Sequence, residues 1–146
     1  MSSLSEYLFV YGTLRSDIPS SMSKFLRRRA TLIGKATAEG RLIDLGGYPG
    51  FLTGGGGRVK GELYRIKQDR AEETWQLLDA YEGVSGLSSE EYRRTEISAR
   101  VAGGGNFRAQ TYEYQQPAGG KVEIPNGDYP PYYRNNPAHR KFTGND

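Results

Sequence analysis

The sequence predicts an α+β unit whose sheet is mostly antiparallel and able to close on itself, and three observations lead there. Twenty glycines and eleven tyrosines accompany many short apolar runs. Glycine reaches the positive φ that tight turns use, so strands joined by turns are favoured over a helical bundle. The patterns along the chain run strand, helix, several strands, helix, strands. At 146 residues and 36% hydrophobic content, the chain closes one modest core. No repeat or second boundary is visible, so residues 1–146 are read as one domain in which 119–146 form an irregular tail.

The run Tyr7-Leu8-Phe9-Val10-Tyr11 is apolar at every position, which suits a strand buried on both faces and ending at Gly12. From Pro19 to Arg29, Met22, Phe25 and Leu26 recur at helical spacing with the proline near the start, predicting a short amphipathic helix. Thr31 to Leu45 reads as a strand, and Gly46-Gly47-Tyr48-Pro49-Gly50 as the loop that breaks it. Gly54 to Gly57 reads as a flexible hairpin tip or linker, followed by a strand from Arg58 to Ile66 with a bulge at Gly61.

The clearest helix spans Arg70 to Glu82. Ala71, Trp75 and Leu78 share one stripe, Glu72 and Glu73 lie in the first turn, and Gly83 is placed to cap the end. Tyr92 to Val101 and Phe107 to Tyr114 then form an antiparallel hairpin around Gly103-Gly104-Gly105-Asn106. In the tail, Tyr129-Pro130-Pro131-Tyr132-Tyr133 is expected to dock in part.

Composition removes several chemistries. The chain has no cysteine, so it forms no disulfide, thiolate metal site or cysteine nucleophile, and a cytoplasmic setting is expected. Met1 to Glu6 lacks a basic leader pattern, and Tyr7 to Val10 is too short to span a bilayer, so no membrane partner is expected. The net charge is only +3, and beyond Arg27-Arg28-Arg29 the basic residues are scattered among acids, so nucleic acid is not an expected partner. The single histidine, His139, lies in the tail and reads as solvated. Carboxylate chemistry is what remains.

Glu82 is the carboxylate that stands out. It sits in the last turn of a helix, at the negative end of the dipole, and it continues the stripe of Ala71, Trp75 and Leu78 toward the core. Desolvation there would raise its pKa and let it exchange a proton near neutral pH. The structural alternative is a glutamate that turns outward or pairs with Arg93 or Arg94. Asp79 falls at the edge of the stripe and reads as solvated. The loop Gly12-Thr13-Leu14 follows a buried strand, and glycine there permits close approach of backbone N–H groups to a bound anion. A strand that simply ends in a glycine turn is the competing explanation.

Taken together, Tyr11-Gly12-Thr13-Leu14-Arg15 and Leu78-Asp79-Ala80-Tyr81-Glu82-Gly83 resemble segments of the gamma-glutamylcyclotransferase-like family. Gly47-Tyr48-Pro49-Gly50 and Val59-Lys60-Gly61-Glu62-Leu63-Tyr64 also resemble it, so the similarity covers roughly Tyr7 to Tyr114. The resemblance implies a small mixed β-barrel with flanking helices. It further implies cyclisation of a γ-glutamyl amide to 5-oxoproline, an intramolecular aminoacyl transfer that releases an amine or amino acid. On that basis Tyr11, Gly12, Thr13 and Leu14 bind the glutamyl moiety of a small-molecule substrate, Glu82 is the catalytic acid/base, and no metal or cofactor takes part. Tyr48, Tyr112 and Tyr114 are candidates for the pocket wall or for the core, and Arg15 suits plain solvent exposure. The competing function is a non-catalytic small-ligand-binding module on the same fold, with weak nucleic-acid binding as a third reading.

Overall fold

A computed structural model describes residues 6–143 of the chain. Five strands, β1 (Tyr7–Val10), β2 (Ala30–Asp44), β3 (Pro49–Ile66), β4 (Tyr92–Val101) and β5 (Asn106–Tyr114), close a barrel in the order β1-β3-β2-β4-β5. Most pairs are antiparallel, while β5 runs parallel to β1 at Leu8↔Gln110 and to β3 at Phe51↔Glu113, so the barrel is mixed.

The continuous apolar run of β1 has the expected consequence. Leu8 and Val10 face one core with Leu26, Trp75 and Leu78, whereas Phe9 and Tyr11 face another with Phe51, Val59 and Leu63. The first core is covered by α1 (Ser21–Arg29) and α2 (Ala71–Glu82). In α1 the Ser20 side chain caps the first turn in a box with Ser23, and Leu26 is its fully buried apolar residue.

Two glycine readings are corrected. Gly54 to Gly57 is neither a hairpin tip nor a linker, because β3 continues through it. The ladder steps from Gly40↔Thr53 directly to Glu39↔Arg58, so the four glycines are extruded from the sheet as a bulge, three of them at positive φ. Gly61, expected to bulge, pairs in register with Ala36. Its missing side chain serves β1 instead, since a Cβ there would lie 2.2 Å from the Val10 carbonyl oxygen.

The segment after Gly119 is also more ordered than its composition suggests. It pairs briefly with the end of β2 at Ile43↔Glu123 and then forms α3 (Tyr129–Arg134) and α4 (Pro137–Phe142). Tyr129 and Tyr133 are buried in the second core. His139 is fully buried instead of solvated, held between the Tyr129 hydroxyl and the Asp44 carboxylate, each at 2.7 Å. Among the described residues no helix is long and apolar enough to cross a membrane.

Candidate functional site

A cavity of about 300 Å³ opens where the end of β1 meets the end of α2. Tyr11, Gly12, Thr13 and Leu14 line it on one side and Glu82 on the other, so the residues singled out in the sequence share one space. Tyr48 and Tyr112 also line it; Tyr114 does not, and packs edge-on against Tyr92 in the core with ring centroids 6.3 Å apart.

Glu82 owes its place to the helix stripe and to the stop that follows. Gly83 takes a left-handed conformation (φ +70°), and the N–H groups of Gly83 and Val84 close back on the carbonyls of Ala80 and Asp79. The helix therefore ends at the cavity wall. Neither arginine offered as a partner reaches Glu82: Arg93 pairs with Glu113 at 2.9 Å, while Arg94 bonds Asp79 at 3.3 Å and stacks over Trp75. Among the described residues nothing hydrogen-bonds or pairs with the Glu82 carboxyl. It is half-buried by accessible area, its free surface lining the cavity. Desolvation, with the negative charges of Glu91 and Asp79 behind it, pushes its pKa up to about 8. Among the described residues no lysine, arginine or histidine lines the cavity to counter this.

Asp79 is only partly exposed; it accepts a 2.7 Å bond from the Tyr112 hydroxyl as well as the contact from Arg94. The neighbouring tyrosines are likewise tied down. Tyr11 donates to the Tyr112 carbonyl at 2.7 Å, Tyr92 to the Pro49 carbonyl at 2.7 Å, and Tyr48 to Glu91 at 2.6 Å. Burial and then Glu82 raise the Tyr11 pKa well above its ordinary value, and burial and Glu91 raise that of Tyr48 to about 12. All these phenols stay neutral at physiological pH and act as fixed walls.

The loop is rigid for reasons the sequence concealed. The Thr13 hydroxyl meets the Tyr81 hydroxyl at 3.0 Å, and the Ser20 hydroxyl donates to the Thr13 carbonyl at 2.6 Å. Behind it the Ser16 N–H and hydroxyl both donate to Glu62, each at 2.6 Å. Arg15 is buried rather than exposed, forked onto Asp17 at 3.0 and 2.9 Å and donating to the Lys60 carbonyl. Gly12 also has a packing role: a Cβ there would strike Pro49 Cγ at 2.6 Å, so glycine lets the Tyr48-Pro49 turn close over the loop. Among the described residues no group accepts a hydrogen bond from the N–H of Gly12, Thr13 or Leu14. These three donors remain available to a ligand.

Pro49, Tyr81, Glu91, Tyr92 and Phe142 also line the cavity and were not singled out in the sequence as wall residues. They come from separate elements and carry no shared spacing. The basic residues are also less scattered than they read, because Lys35, Arg58, Lys60, Arg100 and Arg134 line a second groove of about 590 Å³. Among the described residues no group of three or more His, Cys, Asp or Glu is placed to hold a metal ion.

Among the described residues, a closed mixed barrel sets one unpaired carboxyl across a cavity from a loop whose three N–H groups meet no acceptor, which defines a small barrel protein with a loop-and-carboxyl cavity. The chain belongs to the Gamma-glutamyl cyclotransferase, AIG2-like family, whose model matches residues 8–131. It is 34% identical over 111 residues to a gamma-L-glutamyl-butirosin B gamma-glutamyl cyclotransferase of Niallia circulans, covering 75% of this chain and 67% of that protein. Among solved structures it resembles an uncharacterised protein of Pyrococcus horikoshii at 25% identity and TM-score 0.63, covering 89% of this chain and 94% of that one. An AIG2-like protein of Mus musculus shares the fold at 21% identity and TM-score 0.67, covering 88% and 89% of the two chains.

Proposed function

We propose that the protein cyclises a γ-glutamyl amide to 5-oxoproline and releases an amine or amino acid, with Glu82 moving the proton. The observation that carries this reading is the meeting of the Glu82 carboxyl and the unmatched N–H groups of Gly12 to Leu14 in one cavity. With no cationic side chain on the wall, the α-carboxylate of the glutamyl unit goes to the backbone donors. The α-ammonium then lies toward Glu82 and supplies the counter-charge that the protein lacks.

In the first step the ionised Glu82 carboxylate takes one proton from the α-ammonium, and the neutral amine nitrogen so formed attacks its own γ-carbonyl carbon, making the new C–N bond of a five-membered ring as the carbonyl π pair moves onto oxygen. In the second, Glu82 gives that proton to the departing nitrogen as the oxyanion collapses and the original amide bond breaks. The ring nitrogen then sheds its second proton through the Glu82 carboxylate to the released amine, leaving 5-oxoproline, an alkylammonium and ionised Glu82. The attack is intramolecular, so the substrate itself brings the reacting atoms together. What is asked of the protein is orientation, a proton carrier of suitable pKa and stabilisation of the developing oxyanion.

The test is a panel of γ-glutamyl dipeptides and γ-glutamylamines with 5-oxoproline as the readout. Glu82→Gln keeps shape but cannot carry a proton, and is expected to lose about 10²- to 10⁴-fold in kcat while still binding substrate. Equal turnover by the two proteins would refute the mechanism, and affinity without turnover in the wild type would identify a binding module.

A further inference from the structure

The cavity has one wall that the reaction as drawn leaves unused. The glutamyl unit must reach both the Gly12 to Leu14 donors and Glu82, so the group on the far side of the scissile amide extends away from the loop. Of the cavity lining, Tyr48, Glu91 and Phe142 are given no part in that reaction. Phe142 comes from α4, outside residues 8–131 that the family model matches.

Its position is built with some care. The Phe142 ring lies 4.8 Å from the Tyr48 ring, centroid to centroid. Tyr48 in turn is held through its hydroxyl, which donates to Glu91 at 2.6 Å. A Cβ on Gly47 would lie 3.4 Å from Phe142 Cβ, an ordinary van der Waals contact, so α4 lies directly against the Gly47 backbone. The helix is pinned from the inside by His139, whose two ring nitrogens meet Tyr129 and Asp44 at 2.7 Å, and Tyr132 adds a 2.5 Å bond to the same aspartate. Despite this anchoring Phe142 remains 52% exposed, whereas the aromatic rings deeper in the cores are nearly all buried. An apolar ring held firmly at a cavity wall with half its surface in water gains by covering that surface with a ligand.

We propose that Phe142 and Tyr48 form a leaving-group subsite that selects amines bearing a flat or bulky apolar group next to the scissile nitrogen. This inference rests on the cyclotransferase reading for the direction in which the substrate lies. Phe142 is thereby a specificity-determining residue, and the His139–Asp44–Tyr132 contacts are positioning contacts that hold it in place.

The experiment compares γ-glutamyl-benzylamine with γ-glutamyl-methylamine in the full chain, using wild type, Phe142→Ala and Phe142→Tyr. The benzyl-to-methyl ratio of kcat/KM is expected to fall about tenfold in the Ala protein, chiefly through KM, and to recover in the Tyr protein, which keeps the ring. Calorimetric affinities for the same two amides should show the same shift in preference. An unchanged ratio in Phe142→Ala, or a ratio that Tyr fails to restore, overturns the subsite. Absence of turnover of either amide by wild type, with the binding preference intact, overturns the catalytic reading and leaves the subsite standing.

Discussion

Replacing Glu82 by glutamine should stabilise the fold at neutral and alkaline pH while abolishing its proton chemistry. The folded carboxyl holds its proton up to a pKa of about 8, against an ordinary value of 4.5. Between these values the native state keeps a proton that the unfolded chain has released, so stability falls as pH rises through the window. Each pH unit of full difference is worth about 1.4 kcal/mol, and the accumulated penalty at pH 7 is about 3 kcal/mol before discounting. Water in the cavity solvates the charged form and lowers that figure. Glutamine has the same shape and no charge at any pH, so it removes the penalty. At roughly 2–4 °C per kcal/mol for a chain of this size, its Tm at pH 7 should exceed that of wild type by several degrees. The two proteins should melt together near pH 4.5 and diverge progressively toward pH 8. Thermal melts followed by circular dichroism across that range test this. Parallel Tm profiles would show that the carboxyl is not held protonated by its surroundings, and the account of Glu82 as a desolvated proton carrier would fall.

Two other outcomes follow from the same geometry. At pH 7 only about one Glu82 in ten is ionised at that pKa, and a ligand ammonium beside it favours the ionised form, so binding should expel most of one proton per site. Calorimetry with L-norleucine, which carries the ammonium and carboxylate without a cleavable amide, in phosphate and Tris buffers measures it; no buffer dependence in wild type would contradict it. Gly12→Ala places a Cβ 2.6 Å from Pro49 Cγ and should cost about 1–3 kcal/mol of stability while displacing the loop donors. A wild-type Tm and KM in that variant would show that the Pro49 contact does not govern the loop.

The site was partly legible because one of its parts is periodic. The spacing of Ala71, Trp75, Leu78 and Glu82 places the carboxyl on the core-facing stripe, Gly83 marks where the helix must stop, and the pairing of Arg93 and Arg94 with Glu113 and Asp79 removes the arginine partners the sequence left open. The run from Tyr7 to Val10 similarly announced a strand buried on both faces. Arg15, His139 and Asp79 were misread because each looks polar and exposed to a local reading. Their partners are Asp17 with the Lys60 carbonyl, Tyr129 with Asp44, and Tyr112 with Arg94, and all but Asp17 and Tyr129 lie 15 or more residues away along the chain. Gly61 was misjudged for a related reason, since it answers to the Val10 carbonyl, and Gly12 answers also to the Pro49 ring, neighbours that no local pattern reveals.

Residue order by itself determined the strands and helices as far as Tyr114, the place of Glu82 on the core-facing stripe of its helix and the absence of thiol chemistry, because each depends on composition or on neighbours within a turn or a strand. Only the closed barrel decided that the loop after β1 stands across a cavity from the end of α2, that the carboxyl there has no counter-ion, and that Phe142 forms part of the wall. Those facts depend on desolvation and on contacts between distant segments, and both arise only once strand pairing has brought those segments together.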